Sequence, residues 1–123
     1  MAVPILKQGP FLIATIQAAL TDTDVLQLRD DVMAQVTRHR SRGIIVDVTA
    51  LDVLDSFASS KLRDLAQIAR LRGAETVIVG IQPEVAFAMV QLGMSFEDVQ
   101  TALDLEEGLA LLQTRKEPGD VGP

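Results

Sequence analysis

The chain has 123 residues, a formal net charge of −6, no cysteine, tryptophan or tyrosine, and four phenylalanines. That length suits one domain able to bury its own core. The missing cysteines exclude disulfides, thiolate nucleophiles and cysteine metal sites, and the acidic balance with few stacking platforms argues against nucleic acid.

No apolar run approaches the ~20 residues needed to span a bilayer, so no membrane partner is expected. Met1-Ala2-Val3-Pro4 lacks a basic start followed by a long apolar stretch. No signal peptide is therefore expected, and a cytoplasmic location is.

Pro4 to Lys7 reads as a short edge strand, joined to the next through the turn Gln8-Gly9-Pro10. Phe11 to Ile16 is a continuous apolar run of strand length. Ile44 to Val48 and Thr76 to Ile81 are two more, rich in β-branched residues. Such runs mark strands covered on both faces.

Helical periodicity alternates with these strands. In Asp24 to Arg40, the residues Val25, Leu28, Val32 and Val36 form one apolar face. Thr21, Asp22 and Thr23 are candidate N-caps, Arg38, Arg40 and Arg42 gather at the far end, and Gly43 is the expected stop. Ser56 to Arg72 buries Leu62, Leu65, Ala66 and Ala69 and stops at Gly73. Pro83 to Leu92 is a third helix, with proline at its start. A weak strand near Asp98 to Thr101 precedes a helix over Asp104 to Gln113, which opens like a capping box at Asp104 and Glu107. The order ββαβαβα(β)α implies an α/β fold with a largely parallel sheet. Residues 116–123 are polar, with two prolines and two glycines, and are expected to form a disordered tail.

Open α/β sheets carry functional groups on loops at the carboxyl ends of their strands. Two loops qualify, Thr49 to Ser60 and Gly80 to Glu84. In the first, Asp55 and Ser56 precede the helix that Leu62 and Leu65 define. One reading makes either residue a simple N-cap. Another makes Ser56 a phosphate acceptor, because free N–H groups and the positive dipole end suit a phosphoryl group. A serine nucleophile would need a base and an oxyanion hole. The single histidine, His39, falls at the end of a different helix, and no G-x-S-x-G elbow is present. Asp47 ends a strand where receiver domains hold a phosphoacceptor aspartate. The acidic pair and the lysine such domains need are missing from Thr15-Ile16-Gln17 and from the stretch between Lys61 and Lys116. No catalytic, metal or cofactor site is expected, and so no enzyme.

The stretch Asp47-Val48-Thr49-Ala50-Leu51-Asp52-Val53-Leu54-Asp55-Ser56-Phe57 resembles the switch loop of STAS domains. More narrowly, the chain is similar to the small scaffold subunit of the bacterial stressosome, the RsbS type. Asp55-Ser56-Phe57, Val79-Gly80-Ile81-Gln82-Pro83, Leu92-Gly93 and Thr101-Ala102-Leu103-Asp104-Leu105-Glu106 carry that resemblance, over about Ile5 to Leu112. It implies a STAS (SpoIIAA-like) fold: a single mixed, mostly parallel sheet of four to five strands with about four helices, over residues 1–115.

The resemblance also implies a non-catalytic scaffold. Such a subunit co-assembles with an RsbR-type STAS paralogue, homo-oligomerises, and holds an RsbT-type serine kinase until its switch serine is phosphorylated; a phosphatase resets it. Ser56 matches that serine. Asp55, Phe57, Ser59, Ser60, Gln82 and Pro83 are the expected partner-binding residues around it, with Ser59 and Ser60 on the helix surface one turn on. Simple anti-sigma factor antagonists usually show Asp-Ser-Ser-Gly where this chain has Asp55-Ser56-Phe57-Ala58. A monomeric antagonist of that kind is the alternative. The larger paralogues carry a sensor domain ahead of the STAS core, where this chain starts directly. They also tend to carry a phosphorylatable threonine at the position of Ala88.

Overall fold

The structure is a computed structural model, and it describes residues 3–93 and 99–114. Five strands form one sheet: β1 (Ile5–Gln8), β2 (Phe11–Thr15), β3 (Gly43–Asp47), β4 (Glu75–Val79) and β5 (Gln100–Ala102). Four helices accompany them: α1 (Asp22–His39), α2 (Ser56–Leu71), α3 (Pro83–Gln91) and α4 (Leu105–Thr114). The strands lie side by side in chain order. β1 pairs antiparallel with β2, and the remaining pairs are parallel.

That order decides where the helices go. Each crossover from β2 to β5 steps in the same direction, and right-handed crossovers then put α1, α2 and α3 on one face. The larger core cluster agrees. It joins Leu28, Val32, Leu62, Leu65, Val85 and Met89 of these helices to Leu12, Ile44, Val46 and Ile78 of the sheet. The opposite face is left to α4, whose Leu112 packs with Phe11, Ile13, Ile45, Val77 and Val79. Successive residues of β3 and β4 therefore enter different cores, as the period of two requires. This is why those strands read as unbroken apolar runs. α4 packs on β3, β4 and β5. Leu6 of β1, opposite Ile13, remains 63% exposed.

Local chemistry explains the helix ends. Thr21, among the three candidates, caps α1: its hydroxyl accepts from the Asp24 N–H at 3.1 Å and the Asp24 carboxylate accepts from the Thr21 N–H at 3.1 Å. α1 does not run on to Gly43. It ends at Arg40, which adopts the left-handed conformation itself (φ 50°). Gly43 instead opens β3, where a Cβ would come within 2.8 Å of Leu112 and 2.9 Å of Phe11. Close approach of the Leu112 and Phe11 side chains, not turn geometry, favours glycine there. α2 stops as expected at Gly73 (φ 87°), with Gly73 N–H bonded to Arg70 and Ala74 N–H to Ala69, the paired bonds of a Schellman motif. At α4 the Asp104 carboxylate accepts from Glu107 N–H at 2.9 Å, and Glu107 accepts from Leu103 N–H at 3.2 Å.

The weak strand is present as β5, paired from Gln100 to Ala102; Asp98 and the tail 116–123 lie outside the described residues. Among the described residues no helix is long and apolar enough to cross a membrane.

Gly108 of α4 makes the closest approach to the sheet, with a Cβ position 2.7 Å from Val79. Gly108→Val is expected to lower stability by about 1–3 kcal/mol through overpacking. Ala110→Val, at an exposed position on the same helix, should stay within about 0.5 kcal/mol. Urea unfolding midpoints of the two variants measure the difference.

Candidate functional site

The parallel strands end at one edge of the sheet, and α1, α2 and α3 begin there. The segment between β3 and α2 is held from below. Val48 N–H bonds to the Val79 carbonyl at 3.0 Å, and Leu51 N–H to the Val48 carbonyl at 2.9 Å. Leu51 and Leu54 are buried in the larger core, while Asp52 and Val53 between them face solvent.

Asp55 is the residue that caps α2. Its backbone is extended and its carboxylate accepts from the Ala58 N–H at 2.8 Å. Ser59 N–H closes the first intrahelical bond onto the Asp55 carbonyl at 2.9 Å. Ser56 is thus the first helical residue, exposed, with its hydroxyl unused by the cap. No acidic residue occupies the first turn of α2 itself; the Asp55 carboxylate at the N-cap is the charge that faces the positive end of the helix dipole. Phe57 is half-buried beside it, with the Lys61 ammonium 5.6 Å from its ring centroid and 3.3 Å from Asp64.

The second loop is tied to the first. The Gln82 side-chain amide donates to the Thr49 carbonyl at 2.7 Å. That bond explains why Gln82, at the N-cap of α3, makes no side-chain capping bond. Thr49 is fixed from its other side by Asp47, whose carboxylate accepts from the Thr49 N–H at 2.9 Å and hydroxyl at 2.6 Å. Gly80 passes so close, at φ 79°, that a Cβ would overlap the Thr49 hydroxyl. Asp47, considered above as a receiver-type phosphoacceptor, is half-buried and committed to this turn.

The edge therefore carries Asp55, Ser56 and Phe57 at the start of α2, Gln82 tied to Thr49 earlier in the same β3–α2 segment, and Pro83 exposed as the first residue of α3. Ser60 is half-buried one turn into α2. Ser59 corrects the surface placement expected from sequence. It is 4% exposed, and its hydroxyl has no hydrogen-bond partner. It sits three and seven residues before Leu62 and Ala66, on the stripe that faces the core. Carrying that stripe back one turn would have found it. Thr49 and Gly80 were read only as parts of loops; the Asp-x-Thr spacing of a side-chain-to-backbone turn was the available signal. His39 lies at the opposite end of α1, a helix of 18 residues and so about 27 Å long. It cannot act as a base for Ser56.

Beneath the segment between β3 and α2 lies an apolar cavity of about 60 Å³, lined by Ile16, Leu20, Val25, Leu51, Leu54 and Leu62 among others. It is far smaller than the ~300–1,000 Å³ of a small-molecule site.

The carboxyl edge of this small mixed α/β domain thus presents a separately capped helix start and two tied loops. The chain belongs to the STAS domain family, whose model matches residues 2–108. A solved structure of a serine-to-glutamate variant of RsbS from Moorella thermoacetica is similar at a TM-score of 0.78 and 32% identity, covering 90% of this chain and 94% of that one. A chain from the molecular architecture of the stressosome, described as a signal integration and transduction hub, is similar at 0.73 and 31%, covering 89% and 96%. The RsbT co-antagonist protein RsbRA of Bacillus subtilis (strain 168) is 29% identical over 83 residues. Those residues are 68% of this chain but 30% of RsbRA, so the chain spans under a third of that relative's length.

The division of labour between Asp55 and Ser56 has a thermodynamic signature. Asp55→Ala removes the cap and should cost about 1 kcal/mol, within a range of roughly 0.5–2. Ser56→Ala should change stability by less than about 0.5 kcal/mol. Chemical denaturation of both variants reads the contrast, and equal losses would contradict the assignment of the cap.

Proposed function

We propose that this chain is a non-catalytic scaffold subunit of a stress-signalling, partner-switching complex. It sequesters a switch-type serine kinase of the RsbT kind and releases it when Ser56 is phosphorylated. A phosphatase resets the serine, and an RsbR-type STAS paralogue shares the assembly. One observation carries this reading: Asp55 does the capping, which leaves the exposed Ser56 hydroxyl without a structural task.

The physics favours a modification at that position. A phosphoryl group adds about −1.5 to −2 charges. At Ser56 it would lie at the positive, N-terminal end of α2, beside the Asp55 carboxylate that already caps the Ala58 N–H, so the fold need not change to hold it. A docked partner would feel it differently. Val53 is 67% exposed and Phe57 half-buried on either side of Ser56, and a surface resting on them would have to desolvate a dianion. Losing ~3 kcal/mol there weakens binding more than a hundredfold. The neighbouring carboxylates of Asp52 and Asp55 add repulsion toward an acidic partner. The kinship with RsbS, with a stressosome chain and with the RsbT co-antagonists supports the scaffold role. Exposed apolar side chains on α3, Phe87 at 67% and Val90 at 77%, are consistent with a domain that works in contact with others.

Ser56→Ala is expected to abolish phosphate incorporation by the cognate kinase, and Ser56→Asp to weaken kinase capture at least about tenfold, or roughly 1.4 kcal/mol. Site mapping by mass spectrometry after incubation with kinase and ATP, with a pull-down of the kinase, measures both. Phosphate confined to other residues would sink the proposal.

A further inference from the structure

The sheet has an open edge at β1, which pairs with β2 on one side and, among the described residues, with no strand on the other. The Thr15 N–H bonds to the Pro4 carbonyl at 3.2 Å, so Pro4 faces β2, and by alternation so do Leu6 and Gln8. The N–H and C=O groups of Ile5 and Lys7 therefore point outward. None of them has a backbone partner among the described residues. Proteins commonly blunt such an edge with a proline or a bulge. Here the N–H that Pro4 lacks is on the inner side, and the register from Ile5 to Gln8 contains no bulge.

A groove runs beside that edge. It holds about 250 Å³ between β1 and α1 and is lined by Val3, Ile5, Asp31, Ala34, Gln35 and Arg38. That volume is below the ~300–1,000 Å³ of a small-molecule site and suits the side chains of an extended segment. Its floor is apolar, because Val3 and Ile5 pack on the larger core. Its α1 wall is charged. α1 returns from the end of β2 to the start of the parallel β3, so it runs in the same sense as the antiparallel β1. Asp31 then lies toward the Val3 end, and the exposed Arg38 lies toward the Lys7 end, about 10 Å further along the helix. The period of two puts Lys7 on the same face of β1 as Ile5, and the exposed Leu6 on the other.

We propose that β1 accepts an extended peptide of a different protein as an added antiparallel strand, one whose acidic side chain precedes a basic one. Main-chain bonds to Ile5 and Lys7 hold the peptide, and the groove reads its alternate side chains. The acid meets Lys7 and Arg38, an apolar residue meets Ile5 and Val3, and the base meets Asp31. Alternate residues of a strand stand ~6.8 Å apart on one face. An acid and a base four residues apart therefore span ~13 Å, which the long side chains of the pair reconcile with the spacing of Asp31 and Arg38. The intervening side chains lie beside Leu6. The β1 strand of a second copy does not fit, because residues 3–10 contain no carboxylate to face Arg38. This edge is separate from the carboxyl-end loops, so the proposal holds whether or not Ser56 is a switch.

Titration of the full chain with synthetic capped peptides, followed by heteronuclear NMR, tests this. The probe carries glutamate, valine and lysine at every second position, in that order, with threonine between them. It should shift the amide signals of Ile5 and Lys7 and leave that of Ser56 in place. A peptide with glutamate and lysine exchanged should bind about tenfold more weakly. Methylating the peptide nitrogens that face β1 should abolish binding, and methylating those that face away should leave it unchanged. In the protein, Asp31→Lys with Arg38→Glu should reverse the preference between the two charge orders, with a urea midpoint close to wild type showing that the fold is kept. The peptide comparisons use the wild-type chain, so they decide the matter even where the double variant does not fold. No binding of either peptide, equal binding of both charge orders, equal tolerance of both methylation patterns, or shifts confined to the carboxyl-end loops would overturn the proposal. So would Ile5 and Lys7 signals that move with protein concentration alone, since a second copy would then occupy the edge.

Discussion

The Asp55 carboxylate on the Ala58 amide is the interaction on which the site depends. A helix start must satisfy its free N–H groups, and a side chain at the N-cap is an economical way to do it. Because Asp55 takes that task, the next residue is released from it. Ser56 enters the helix with its backbone ordered and its hydroxyl open to solvent. Order and availability, which usually oppose each other in a side chain, are combined here by splitting them between two adjacent residues.

Topology supplies the rest of the setting. Strands in simple sequential order, linked by crossovers of one hand, stack three helices on one face and bring all three helix starts to one edge. The positive dipole ends converge there, and so do the acidic residues that complement them. The two carboxyl-end loops are then locked together at Thr49, which Asp47 holds from below, Gln82 from the side, and Gly80 leaves room for. In the proposed reading, partner surfaces meet an edge whose two loops are tied together by these bonds. In the proposed switch, a change of charge at Ser56 would act on the partner directly and not through a refolding of the domain.

The same topology polarises the molecule. Helix ends, strand starts and the Arg38–Arg42 segment gather cations at one end, while the N-caps gather carboxylates at the other. Net charge alone, −6, describes a uniformly acidic surface and conceals that separation.

Hydrophobic periodicity in the sequence determined the element order, the two-sided burial of β3 and β4, and the buried stripe of α2, because solvent exclusion acts on each segment's own pattern. It also placed Asp55 and Ser56 at a helix start. It could not choose between them, since a cap is defined by backbone angles and a bond to an amide three residues on, and both residues are capable of it. It stopped α1 at Gly43, where tertiary packing against Leu112 and Phe11 was the true reason for glycine. It put Ser59 on the surface, where a polar residue ordinarily belongs, although the stripe of Leu62 and Ala66 carried back one turn places it on the buried face. The link from Gln82 to Thr49 spans 33 residues. Contacts of that range exist only once the sheet has brought its strand ends side by side.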